Sequence, residues 1–156
     1  MFRTVFLVTL VLSLLSSAIA ETTDPFAGKW KLDVRRSKYP AGTCPTTMVI
    51  EMKPLDQGVW YHSDATYKNG GQIHAQYTAG YDGKQVIVTG DRGLLLPVSL
   101  KRLDSHIVVA SYSRGLQLVA TSRRVVSRDG RLMTITTTSL DRSGKMVMTV
   151  GLYTRE

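Results

Sequence analysis

Residues 60–79 read WYHSDATYKNGGQIHAQYTA. Apolar and polar side chains alternate on both sides of Asn69-Gly70-Gly71, the period of half-buried β-strands. Asn-Gly-Gly between two such runs predicts a hairpin with a three-residue loop and a glycine in the left-handed region. Counted from that loop, Tyr67 faces Ile73, Ala65 faces Ala75, Ser63 faces Tyr77 and Tyr61 faces Ala79. Asp82-Gly83 predicts a second, two-residue hairpin, which sets Tyr81 against Lys84, Ala79 against Val86 and Tyr77 against Val88. The two turns agree on one face, made of Tyr61, Ala65, Tyr67, Ile73, Ala75, Tyr77, Ala79, Val86 and Val88. This face is expected to look inward. Trp60, His62, Asp64, His74, Gln76 and Thr78 share the outer one.

Working outward, the rest of the chain reads the same way. Strands are expected at about 28–34, 47–53, 58–67, 72–81, 84–89, 96–103, 106–113, 116–127, 131–140 and 146–154, with no helical period among them. Residues 35–46 read as a connection, in which Pro40, Gly42 and Pro45 break any helix. Gly90-Asp91-Arg92-Gly93 reads as a turn before the apolar run Leu94 to Leu96, a candidate piece of barrel rim. Short strands with regular Gly/Asp/Asn turns predict an all-β fold, an antiparallel up-and-down barrel of roughly 8–10 strands. A third turn, Asp129-Gly130, pairs Val126 with Met133 and Arg124 with Ile135. It sends Leu116, Leu118, Ala120, Arg124, Val126, Met133 and Ile135 inward, and Arg123, Thr134, Thr136 and Thr138 outward. Arg124 is thus the one charge on an apolar face, and a buried charge is costly unless paired. It reads as a structural partner, a group snorkelling to a barrel end, or a ligand contact.

Ahead of the strands, Arg3, the apolar run Val5 to Leu15 and Ala18-Ile19-Ala20 have the form of a cleavable export signal over 1–20. The run is shorter than the about 20 residues of a membrane span. A short polar lead-in, 21–27, then precedes a single domain, 28–156. Export to the periplasm or the exterior is the expectation. Loss of Arg3 with the leader lowers the formal net charge from +8 to +7. The basic pairs Arg35-Arg36, Lys101-Arg102 and Arg123-Arg124 are scattered, without the aromatic interleaving of a nucleic-acid surface. They read first as a solvated, generally basic surface, with weak contact with an anionic envelope surface as the alternative. Cys44 is the only cysteine, so no internal disulfide forms. It is a buried small hydrophobe in a monomer or a link in a Cys44-bonded dimer.

Phe26-Ala27-Gly28-Lys29-Trp30-Lys31-Leu32 resembles the opening Gly-x-Trp strand of the lipocalin and fatty-acid-binding-protein superfamily, the calycins. Ser37-Lys38-Tyr39, Arg124-Val125-Val126-Ser127 and the alternating Thr134, Thr136 and Thr138 are similar to small exported bacterial lipocalin-like proteins. The resemblance implies a lipocalin-like barrel whose closed end is built on Gly28 and Trp30. It also implies an arginine from a late strand over the tryptophan, a role for which Arg124 is the candidate. Where fatty-acid-binding proteins carry Arg-x-Tyr on the last strand, this chain has Gly151-Leu152-Tyr153. The expected register turns Met148, Val150 and Leu152 inward and Tyr153 outward, although one residue more or less at Ser143-Gly144 would reverse it.

The leading functional expectation is a binding protein for a small apolar or amphipathic ligand. Tyr61, Tyr67, Tyr77 and Tyr81 would form its aromatic walls, and Arg124 an internal charge. A filled barrel acting through its basic exterior is the alternative. A third reading, an enzyme, would need His62, Tyr61 and a carboxylate in one cleft, and the register sends the first two to opposite faces. No nucleophile elbow, phosphate loop or cofactor motif is present. His62, His74 and Asp64 share the outer face without the spacing of a metal site.

Overall fold

The structure is a computed structural model describing residues 24–90, 96–141 and 143–156. The leader expected at 1–20, the start of the lead-in, and residues 91–95 of the expected turn and apolar run lie outside the described residues. Among these residues nine strands form one antiparallel sheet: β1 (Gly28–Leu32), β2 (Thr47–Leu55), β3 (Gly58–Thr66), β4 (Gln72–Gly80), β5 (Val98–Asp104), β6 (Ile107–Arg114), β7 (Gln117–Val126), β8 (Leu132–Leu140) and β9 (Met146–Arg155). Their order is β4-β3-β2-β1-β9-β8-β7-β6-β5. Every ladder joins chain neighbours except β1 with β9, which ties the two ends of the chain together. The sheet curls into a nearly closed barrel with β4 and β5 at its edges.

Residues 82–89 strap those edges. Thr89 exchanges backbone hydrogen bonds with Gln76 of β4 at 2.8 and 2.9 Å, and Val86 exchanges them with Val98 of β5 at 2.8 Å. The hairpin expected at Asp82-Gly83 and the separate strand over 84–89 therefore do not form. A type I′ turn needs positive φ at both central residues, and only Gly83, at 81°, has it. The Gly83 N–H donates to the Leu100 carbonyl instead, so the chain crosses to β5 and returns to β4 only at Thr89.

The β3–β4 loop sits one residue earlier than predicted. The Tyr67 N–H donates to Gly71 at 2.8 Å and the Gly70 N–H to Tyr67 at 2.9 Å. Partners shift by two, so that Tyr61 opposes Tyr77, Ala65 opposes Ile73 and Val59 opposes Ala79. A shift of two leaves each side chain on its face. Tyr61, Ala65, Tyr77 and Ala79 are buried as expected, while Ile73 near the tip is exposed. Val126 opposite Met133 and Arg124 opposite Ile135 are as predicted.

Two parities reverse. In the β8–β9 loop the Asp141 N–H donates to the Lys145 carbonyl at 2.9 Å and the Gly144 N–H to the Asp141 carbonyl at 3.0 Å, one residue away from a two-residue turn. Met133 therefore opposes Tyr153, and Tyr153 is buried while Met148 is 63% exposed. On β7, the ladder with β6 skips Val119 between Leu118 and Ala120. A bulge of one residue inverts the alternation, so Leu118 is exposed, as is Leu116 in the turn before it.

One end of the barrel is packed solid. Trp30, Phe26, Ile50, Leu100, Met133 and Val126 are all buried there, each contributing about 1.5–3 kcal/mol for an aliphatic or aromatic side chain of this size. Phe26 brings the last residues of the lead-in into the core. Asp24 pairs with Arg102 at 2.5 Å. The Trp30 Nε1–H donates to the Phe26 carbonyl at 2.9 Å. The guanidinium over the Trp30 ring, at 4.3 Å, belongs to Arg155 and not to Arg124. β1 pairs with β9 so that Trp30 and Arg155 are direct cross-strand partners, a placement no local pattern contains. Arg155 also donates to the carbonyls of Gly130 at 2.6 Å, Pro25 at 2.7 Å and Ala27. A Cβ on Gly28, whose φ is 117°, would lie 2.9 Å from its Nη1.

Candidate functional site

The other end is hollow. A cavity of about 350 Å³ lies between the packed end and the mouth, lined by residues from six strands and from the β1–β2 and β3–β4 connections. Ile50, Met48 and Ile135 form its apolar side. Tyr61, Tyr67, Tyr112, Tyr39 and Tyr153 bring phenols to it, and Ser122, Thr137 and Thr149 bring hydroxyls. Two wider clefts, of about 480 and 510 Å³, lie on the surface against the β3–β4 and β2–β3 turns and contain no buried charge.

Arg124 comes into this space from β7, opposite Ile135. It is 2% exposed. Its Nη2 donates to the Tyr77 hydroxyl at 2.8 Å and to the Tyr112 hydroxyl at 3.3 Å. The guanidinium carbon stands 4.8 Å above the Tyr61 ring, and Tyr61 in turn stacks on Tyr77 with centroids 4.6 Å apart. That stack exists because β3 and β4 place the two tyrosines directly opposite. Burial works against the charge of Arg124, and the oxygens of Tyr77, Tyr112 and Tyr61 more than offset it. An arginine keeps its proton in proteins in any case. Among the described residues no carboxylate pairs with it, and its Nε is buried without a hydrogen-bond partner.

Tyr77 and Tyr153 stay neutral. Burial pushes Tyr77 and Tyr153 well above 10, against the lowering effect of Arg124. Tyr39 is also raised by burial, and its hydroxyl meets that of Tyr153. Tyr153 donates to the Met48 sulfur at 3.3 Å, and Ser122 and Thr137 share a hydrogen bond of 2.6 Å. The cavity therefore presents neutral hydroxyl donors and one fixed positive charge.

Of the residues the sequence singled out, Tyr61, Tyr67 and Arg124 line this cavity, and Tyr77 backs it through Arg124. Tyr81 stands at the packed end, where Arg102 lies 4.2 Å over its ring. Tyr39, Tyr112 and Tyr153 are additions. Tyr112 was legible, because it continues the alternation of Val108 and Ala110, both buried. Tyr153 was hidden by the loop count. Tyr39 sits in an irregular stretch positioned by the Lys38–Val150 bridge. Cys44 is half-buried near Tyr39 and Tyr67, and burial raises its thiol.

His62 and His74 lie on the outer wall, as expected. Asp64 Oδ1 is 3.5 Å from His62 Nε2 and bonds His74 Nδ1. Trp60 stacks on His62 at 5.8 Å, and Lys53 lies 4.6 Å over Trp60. Among the described residues no group of three His, Cys, Asp or Glu is arranged to hold a metal ion. Tyr61 and His62 face opposite sides of the wall, so the acid–base cluster an enzyme reading would need is not assembled.

By sequence, no family model and no curated protein matches this chain. By structure, it is similar to the zebrafish ileal bile acid-binding protein complexed with cholic acid. The two agree with a TM-score of 0.55 at 13% identity, over 85% of this chain and 99% of that one. The likeness shows the fold: this chain is a nearly closed antiparallel β-barrel of the same architecture.

Proposed function

We propose that the protein is an exported carrier or scavenger of a small amphipathic anion, with the acidic group held at Arg124 and the apolar part against Ile50, Met48, Ile135 and the Tyr61 ring. The observation that carries this reading is the buried guanidinium that, among the described residues, has no anionic partner, at the floor of an open cavity. Such a charge is costly, and a bound carboxylate, sulfonate or phosphate would satisfy its Nε and neutralise it by charge-assisted hydrogen bonds. A cavity of about 350 Å³ falls at the low end of small-molecule sites, which favours a compact ligand or one whose tail leaves through the mouth. The bile acid held by the structural neighbour is an amphipathic acid of the same general kind. The leader-like segment at 1–20 supports an extracytoplasmic location, and the positive charge supports weak attraction to anionic surfaces. The filled-barrel reading is less favoured because only one end is packed.

Fluorescence titration with the anionic probe 1-anilinonaphthalene-8-sulfonate tests the reading. Saturable binding, lost by at least tenfold in Arg124→Met and competed by short fatty acids or bile acids, is the expected result. Equal binding by the variant would overturn it. Mass analysis of protein recovered from outside the cytoplasm is expected to show a chain beginning at Glu21.

A further inference from the structure

The outer wall beside the cavity mouth carries exposed apolar side chains in unusual density. The β6–β7 and β8–β9 turns are both at the open end, since the β7–β8 turn packs under Arg155 at the other. Leu116 is fully exposed at the first tip, followed by Leu118 at 53%; Leu140, Met146 and Met148 stand at the second, at 42%, 69% and 63%. Leu140 and Met146 are direct partners, and Leu118 joins them across a groove of about 290 Å³ that also includes Val119 and Ala120. The bulge at Val119 is what turns Leu118 outward. The patch is thus a product of backbone geometry, and soluble surfaces rarely gather apolar side chains this way without a partner.

Cations flank it. Arg114 precedes Leu116, and Lys145 precedes Met146; both are exposed, and neither has an ion pair among the described residues. The nearby Asp141 carboxylate accepts the backbone N–H groups of Ser143 at 2.8 Å and Lys145 at 2.9 Å, closing its own turn. Apolar side chains on projecting tips with basic groups at their base match the layering of a bilayer surface, acyl chains beneath anionic headgroups. A second copy of a chain with a net charge of +8 would meet like charge there.

We propose that the β6–β7 and β8–β9 tips dock on an anionic lipid bilayer, with Leu116, Leu118, Leu140 and Met146 entering the acyl boundary and Arg114 and Lys145 at the headgroups. The cavity mouth would then face the membrane, the place where an amphipathic ligand partitions. Docking goes beyond the ligand-binding reading and is measured independently of it. The test uses the chain from Glu21, which keeps every described residue, with phosphatidylcholine vesicles containing or lacking phosphatidylglycerol, in co-sedimentation. Binding is expected only with the anionic lipid and should weaken as salt rises. Arg114→Gln and Lys145→Gln should each weaken it about fivefold, and the combined Leu116→Ser, Leu140→Ser and Met146→Ser variant at least tenfold. Unchanged urea midpoints would show that the folded state is intact, as exposed positions predict. Equal vesicle binding by the triple variant, or no binding to anionic vesicles, would overturn the proposal. So would a concentration-dependent dimer that the same substitutions abolish, because the occupant would then be a second copy. Loss of the anilinonaphthalene probe in Arg124→Met, measured without lipid, stands or falls separately.

Discussion

Replacing Arg124 by Met separates a functional charge from a structural one. Methionine is flexible enough to fill the space of the aliphatic stem and carries no charge. The substitution removes a guanidinium that is 2% exposed and whose Nε is unpartnered, a situation that costs about 1–3 kcal/mol or more for a charged group. It also removes the bond to Tyr77 at 2.8 Å and the long one to Tyr112 at 3.3 Å. Water in the cavity can take over the two hydroxyls, so less than their full value is lost. Replacement of buried ionic groups by apolar ones of similar volume is often neutral or stabilising by about 1–4 kcal/mol. A gain of about 1–2 kcal/mol is expected here, or about 2–8 °C in Tm, together with the loss of probe binding. Urea unfolding followed by fluorescence measures it, as a rise in the midpoint at unchanged slope. A loss of more than about 1 kcal/mol would mean that the guanidinium holds the Tyr61, Tyr77 and Tyr112 cluster together. The argument for an anion site at Arg124 would then lose its basis.

Arg155→Ala should act in the opposite direction, lowering stability by about 1–2 kcal/mol in the same urea assay, through loss of the stack on Trp30 and the bonds to three carbonyls at the packed end. Gly58→Ala should cost about 1–3 kcal/mol, because a Cβ there collides with the Ala79 carbonyl oxygen; wild-type stability would show that β3 and β4 separate more easily than their ladder implies. Tyr77 and Tyr153 ionise well above 10 in the folded state because of burial, whereas unfolded phenols ionise near 10. The folded chain thus keeps protons that the unfolded chain releases, so this contribution is complete below pH 10 and declines as the pH rises above it. Urea midpoints that are level through the neutral range and fall above pH 10, with a delayed tyrosinate absorbance, are the expected outcome. Burial also raises the Cys44 thiol, so labelling by a disulfide reagent should be several times slower in the folded protein than in urea.

Much of the barrel could be read locally. Alternation around Asn69-Gly70-Gly71 marked β3 and β4 and assigned Tyr61 and Tyr77 to the same face, and Asp129-Gly130 set Arg124 opposite Ile135. Less could be read where a count of one residue mattered. The Ser143-Gly144 loop and the bulge at Val119 each invert a strand's alternation, which moved Tyr153 into the cavity and Leu118 out of the wall. Neither change leaves a compositional trace, because both sides of those strands carry apolar residues.

By itself, the sequence determined that the chain is all-β, where most of its strands fall except for 84–89, and that one arginine stands among apolar side chains, since a strand's period of two and the turn residues act over a few positions. Only the tertiary structure decided that Arg155 covers Trp30 while Arg124 enters the hollow end, that Tyr39 and Tyr153 meet, and that residues 82–89 strap two strands instead of forming a hairpin. The contacts of Trp30 with Arg155 and of Tyr39 with Tyr153 depend on the pairing of β1 with β9, which joins residues more than a hundred positions apart; the strap depends on the closure of the sheet between β4 and β5. The physical reason is that distant partners are selected by the packing of the whole barrel and not by the neighbours of either residue.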